Sequence, residues 1–154
     1  MENKEYLSND LSLYQFSPES QYLDRKSARK KPQELLKHLI AFANADGGQL
    51  VVGIEDEKQD NIITGFKDGR SYPIDDFKKI DREMRETPLD LSFEEIPVVN
   101  HKGEDDLILV ISVELSSNRV IAAPNDEVYL RQGDESVKLS YEQRTQLSYD
   151  TGQR

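Results

Sequence analysis

The chain lacks cysteine and tryptophan, and has only two histidines, two methionines and no apolar run longer than a few residues. Without cysteine there is no disulfide scaffold and no thiolate metal or redox site. A reducing compartment, and so a cytoplasmic location, is the expectation. His38 and His101 are the only imidazoles, so a site that needs several histidines is excluded. His38 falls among the core positions of a helix and His101 in a turn, which predicts structural or solvated roles for both. No stretch approaches the roughly 20 apolar residues of a membrane span. Met1-Glu-Asn-Lys4 has no apolar segment behind it and does not read as a secretory signal, so no membrane partner is expected. Neither Gly-x-Gly-x-x-Gly nor a Walker sequence is present, so the usual phosphate-cradling loops are missing.

Positive charge is also scarce. Lys plus Arg is 20 against 30 for Asp plus Glu, a net charge of −10, which excludes a whole-surface electrostatic grip on nucleic acid. Apolar residues at 36% and charged residues at 32% lean toward disorder, yet Val, Ile, Leu and Tyr come in blocks, so a folded domain with polar tails is predicted. The 154 residues suffice for one core.

The scarce cations are concentrated. Arg25, Lys26, Arg29, Lys30 and Lys31 place five in seven residues, whereas residues 1–24 and 55–154 are net acidic. Such a run is either a solvated, solubilising loop or a local phosphate-binding patch on an otherwise repelling surface, and composition does not choose between them.

Hydrophobic patterning gives the elements. Residues 1–17 form a polar arm or short helix, and residues 21–26 a short strand. Pro32 opens a helix whose Leu35, Leu36, Leu39, Ile40, Phe42 and Ala43 share one face. Asn44, Gly47 and Gly48 shape the turn into Gln49-Leu-Val-Val-Gly-Ile-Glu55, a strand with the pattern of burial on both sides. Further strands are predicted at 61–66, 91–99, 106–115, 120–123, 127–131 and 136–139. Helices are predicted at 75–86 and 141–147, the latter capped by Ser140. Residues 148–154 read as a frayed tail. Helices interspersed among hairpins predict an α+β fold: a single mixed α/β domain over 18–147, with a central, mostly antiparallel sheet and flanking helices.

Carboxylates are the remaining chemical resource. Glu19 and Asp24 flank the entry to the first strand, and Glu55-Asp-Glu57 closes the apolar one. Pairing of these strands would bring the groups toward one end of the sheet. Carboxylates hold hard cations such as Mg²⁺ or Mn²⁺, and beside Arg25–Lys31 such a site would suit phosphodiester hydrolysis. Chance proximity among 30 acidic residues is the competing reading.

The segment Ala41-Phe-Ala-Asn-Ala-Asp-Gly-Gly-Gln-Leu-Val-Val-Gly-Ile-Glu-Asp56 resembles the core signature of the Schlafen-type AlbA-like DNA-binding domain family. Glu19-Ser-Gln-Tyr-Leu-Asp-Arg-Lys26 is similar to that family's Glu-x-x-x-x-Glu-Phe-Lys segment, and Val128-Tyr-Leu-Arg-Gln-Gly-Asp-Glu-Ser-Val137 to its Tyr-x-Arg-x-Gly-Ser hairpin. Asp24 stands where the family has Glu, and Arg25 where it has an aromatic residue. The resemblance implies a nucleic-acid-binding module for DNA or RNA, of a kind found in bacterial regulators; the concentration of charge makes Arg25, Lys26, Arg29, Lys30 and Lys31 its expected contact residues. By the same resemblance the alternative is a metal-dependent endoribonuclease with Glu19, Asp24 and Asp56 as catalytic and metal-binding residues and Mg²⁺ or Mn²⁺ as cofactor. A protein-interaction module, with homo-oligomerisation as one form of it, is the third reading.

Overall fold

The apolar run Leu50-Val-Val52 is buried completely, and its alternate side chains enter two different cores. The computed structural model describes residues 11–55, 60–84 and 86–152. A helical stretch at 11–16 (α1) leads to β1 (Leu23–Lys26), α2 (Pro32–Asn44) and β2 (Gly48–Val52). Then follow α3 (Ile74–Lys78), β3 (Leu91–Val99), β4 (Asp105–Val113), β5 (Tyr129–Gln132), β6 (Glu135–Lys138) and α4 (Tyr141–Gly152). Four strands form one sheet in the order β1-β2-β4-β3, while β5 and β6 form a separate antiparallel hairpin. β1 runs parallel to β2, and the β2–β4 and β3–β4 pairs are antiparallel. The expected mixed α/β domain is therefore present, with β2 in the sheet interior.

Side chains alternate across a strand, so Leu50 and Val52 join Leu109 and Ile111 on the face covered by α2. Val51 joins Ile108 and Val110 on the opposite face, where Leu11 and Tyr14 of α1 pack. Pro32 sits in the first turn of α2, where its missing N–H leaves no bond unmade. Leu35, Leu39 and Ile40 carry the helix onto the sheet, and Leu39 has no exposed surface. Leu39→Ala is expected to cost about 2–5 kcal/mol, read from the chemical-denaturation midpoint; a loss below about 0.5 kcal/mol would contradict its core role.

Gly47 makes the turn between α2 and β2. Its φ is +81°, and a Cβ there would sit 2.9 Å from the Val113 carbonyl oxygen. Asn44, expected to shape the same turn, reaches elsewhere. Its Nδ2 donates to the carbonyls of Ile121 and Tyr129, both at 2.9 Å, and its Oδ1 accepts the Ile121 N–H at 2.8 Å. That exchange corrects the expected strand at 120–123: the Ile121 peptide groups bond to a side chain instead of a neighbouring strand.

Three other segments depart from expectation. Residues 61–66 reduce to one bridge between Ile54 and Ile63. Asp60, Asn61 and Gly65 have positive φ, and the N–H groups of Thr64 and Gly65 both turn onto the Gly53 carbonyl, so the chain curls where a strand would extend. The helix expected over 75–86 is α-helical only as α3. Beyond it, Ile80, Arg82 and Met84 donate three residues back, in successive tight turns that still bury Ile80 and Met84. The last helix outruns its expected end at 147 and takes in 148–152, part of the expected tail. Ser140 caps it as expected: its Oγ accepts the Gln143 N–H while Gln143 Oε1 accepts the Ser140 N–H, a reciprocal capping box.

Candidate nucleic-acid interface

β1 divides the basic segment by parity. Leu23 and Arg25 face α1, whereas Asp24 and Lys26 face α2. Arg25, expected to be exposed, is fully buried, and its Nη1 donates to the Tyr14 carbonyl at 3.0 Å. A cation on the last carbonyls of a helix is favoured by the helix dipole, so Arg25 fastens α1 to the sheet and is withdrawn from the surface. Of the other four, Lys26 is half-buried and pairs with Asp24 at 3.3 Å. Arg29 is half-buried and bonds the Asp68 carboxylate. Lys30 and Lys31 are exposed, with no ion pair among the described residues.

The Arg29–Asp68 pair has a second consequence. Asp68 also accepts the Arg70 N–H at 2.9 Å. That backbone bond, and then Arg29, hold its carboxyl down to about 2. Exposed Lys67 and Arg70 flank Asp68 in the chain, as exposed Lys30 and Lys31 follow Arg29. No periodicity in the sequence signals the ion pair itself, which joins residues 39 positions apart.

Behind the patch lies a buried charge cluster. Asp24 receives Arg131 Nη1 on Oδ2 at 2.7 Å, with His38 Nδ1 at 3.6 Å from the same oxygen and Lys26 Nζ at 3.3 Å from Oδ1. Arg131 is completely buried. It also donates to the carbonyls of Ser20 and Leu23 and to Ser136 Oγ, and its guanidinium lies 4.7 Å from the Phe42 ring centroid. One side chain thus ties the β5–β6 hairpin to β1 and α2. Ser136 Oγ is 2.8 Å from His38 Nδ1. With Arg131 donating to Oγ, the hydroxyl proton is free to reach a neutral imidazole.

Of the three expected catalytic carboxylates, Glu19 and Asp24 meet, while Asp56 lies outside the described residues. Glu19 Oε2 accepts the Arg25 N–H at 2.9 Å. Burial, and then its hydrogen bond with Asp24, push the Glu19 carboxyl up to about 7. Burial pushes Asp24 up as well, but Glu19, Lys26, His38 and Arg131 outweigh it, and the net shift is downward. The two shifts run in opposite directions, Glu19 toward the protonated acid and Asp24 toward the anion. Burial also drives His38 down to about 4, so it is neutral near pH 7. His101 is exposed in a turn.

Carboxylate oxygens are the donors a hard divalent cation takes, and Glu19 and Asp24 fit by type. The charge balance does not fit, because both Asp24 oxygens already face cations. Among the described residues, no group of three or more His, Cys, Asp or Glu side chains is arranged to hold a metal ion.

The two shifted groups act oppositely on stability. Glu19 titrates near 7 in the fold against 4.5 normally, so its contribution is complete below about 4.5 and disappears as pH rises to about 7. His38 titrates near 4 against 6.5, so its contribution is present above about 6.5 and disappears as pH falls to about 4. Between about pH 4.5 and 6.5 the slopes offset each other. Glu19→Gln keeps an acceptor for Arg25 N–H and removes one slope, so the variant should lose stability from pH 7 to pH 5 more steeply than the parent. Urea midpoints at the two pH values decide this; parallel changes in both proteins would contradict the assignment.

Among the described residues, no helix is long and apolar enough to cross a membrane. No curated protein matches the chain. The fold is similar to the crystal structure of the DIP2311 protein from Corynebacterium diphtheriae, with a TM-score of 0.56 and 19% identity, over 91% of this chain and 32% of that one. The chain thus spans about a third of that protein's length, and the likeness concerns fold alone. The Schlafen, AlbA_2 family matches residues 19–140, from Glu19 to the cap of α4. That span takes in the Glu19–Asp24 pair, the Asn44 clamp and the hairpin held by Arg131, and the chain belongs to the Schlafen AlbA_2 family.

Proposed function

We propose that this domain is a nucleic-acid-binding module, acting within a longer protein, whose contact surface is the corner formed by Lys26, Arg29, Lys30 and Lys31. The observation that carries the reading is the exposure of Lys30 and Lys31, next in the chain to an Arg29–Asp68 pair whose Asp68 is flanked by exposed Lys67 and Arg70, on a chain of net charge −10. A protein of that charge repels a phosphate backbone everywhere except where cations cluster. Membership of the Schlafen AlbA_2 family supports the same reading.

A second reading, divalent-metal-dependent cleavage of RNA, is favoured by the contact between Glu19 and Asp24. The cations on Asp24 weigh against it. One experiment tests both: labelled tRNA and duplex DNA are incubated with the chain in Mn²⁺ or in chelator, and binding and cleavage are read together across salt concentrations. Salt-sensitive retention without cleavage is the expected result. Manganese-dependent cleavage lost in Glu19→Gln would establish the second reading. Salt-insensitive or absent retention would leave a protein-interaction module.

A further inference from the structure

A groove of about 710 Å³ opens where the start of α2 faces the tight turns after α3 and the loop before β5. Its floor includes Leu36, and two tyrosines line it, Tyr72 and Tyr129. Both are half-buried and pack against the α2 core. Tyr72 N–H donates to the Ala28 carbonyl at 2.8 Å, the Tyr129 carbonyl accepts from Asn44, and the Tyr129 hydroxyl donates to Glu127 Oε2 at 2.5 Å. At the lining stand Lys31, Lys79 and Arg82, all exposed and without an ion pair among the described residues.

A concave site of this size, part apolar, with tyrosines and three cations in its lining, suits a ligand that joins a flat ring to an anion. Asp76 and Glu83 also reach the groove, leaving a net lining charge of +1. That disfavours a densely charged triphosphate and favours one phosphate group. We infer that the groove binds a nucleoside monophosphate unit, its base against Tyr72 and Tyr129 and its phosphate at Lys31, Lys79 and Arg82. The unit is either a free nucleotide or one residue of a single strand. A strand as source rests on the nucleic-acid reading above; a free nucleotide does not. Only Lys31 is common to the groove and the basic corner, so the two surfaces can be separated by substitution.

Isothermal titration of the full chain with adenosine 5′-monophosphate and with a twelve-residue oligothymidylate distinguishes the sources. Lys79→Ser/Arg82→Ser changes only exposed side chains, and each charged hydrogen bond to phosphate is worth about tenfold in affinity. Tyr72→Leu keeps apolar bulk and removes a ring face, again worth about tenfold. If both changes weaken adenosine monophosphate by tenfold or more, the groove takes a free nucleotide. In that case Lys26→Ser/Arg29→Ser/Lys30→Ser should leave the nucleotide's affinity within twofold. If only the oligonucleotide binds, and both changes weaken it likewise, the groove takes a strand residue. Oligonucleotide affinity unchanged in both variants, with no nucleotide bound, would overturn the inference while leaving the basic corner intact. Nucleotide binding with no retention of any nucleic acid would overturn the corner and leave the groove.

Discussion

Arg131→Ala is expected to destabilise the domain by about 3–5 kcal/mol, because it leaves Asp24 as a buried anion without its main partner. Asp24 and Arg131 are each only 2% exposed. Their 2.7 Å contact is the shortest that Asp24 makes with a cation. Lys26 remains 3.3 Å from the other oxygen, so some Coulombic compensation survives and the lower part of that range is the better expectation. The substitution also empties the space over Phe42 and removes the donors to the Ser20 and Leu23 carbonyls, which adds cavity and hydrogen-bond terms. Arg131→Met with Asp24→Asn separates these effects: it removes the charge while keeping bulk at both positions. If the unpaired anion dominates, the double variant recovers most of the loss of Arg131→Met alone. A chemical-denaturation loss under about 1 kcal/mol for Arg131→Ala would show that the pair contributes little net stability.

Much of the fold was legible because burial imposes its period on the sequence. The one-sided Leu35–Ala43 pattern and the continuous Leu50-Val-Val52 run report a helix over a sheet covered on both faces, and the structure places them so. The elements misread share another cause: their backbone bonds go to partners that no local pattern encodes. Ile121 bonds to Asn44, 77 residues earlier in the chain. Thr64 and Gly65 fold back onto Gly53, and buried Asp106 accepts the N–H groups of Phe66 and Lys67. Each substitutes a polar side chain or a tight turn for a strand ladder.

The site divided along the same line. Residues 25 to 31 read as one basic run, and no charge count distinguishes Arg25 from Lys26. A strand does, because alternate residues face opposite sides, and α1 covers the side Arg25 faces. Arg131 was visible only as the arginine of a Tyr-x-Arg-x-Gly motif. Its depth depends on the hairpin folding back across α2 and β1, which neither spacing nor composition contains. The convergence of Glu19 and Asp24 was legible, since one stands just before a short strand and the other within it. Of the cations on Asp24, Lys26 is two residues away on the same strand, whereas Arg131 comes from the distant β5 and was not legible.

Lys26→Ser/Arg29→Ser/Lys30→Ser is expected to weaken nucleic-acid binding across sequences and to flatten its salt dependence. Each cation that neutralises a phosphate releases condensed counterions, so log affinity falls with log salt by about 0.9 per neutralised phosphate on duplex DNA and about 0.7 on single strands. Three fully neutralised phosphates would therefore flatten the slope by roughly 2–3 units. The structure argues for the lower end. Lys30 is exposed and meets phosphate at no cost to another bond, whereas Lys26 and Arg29 must turn from Asp24 and Asp68. A carboxylate so released gathers counterions of its own, which offsets part of the gain. Asp24 keeps Arg131 in the variant, so the fold should persist, and an unchanged denaturation transition would establish that before binding is read. Fourfold dilution of salt should then tighten the parent on duplex DNA more than the variant, by a factor of about 3.5 for every phosphate that the parent alone neutralises. Equal affinity and equal slope in the two proteins would remove Lys26, Arg29 and Lys30 from the nucleic-acid surface and make a protein-interaction role the leading account of the cationic corner.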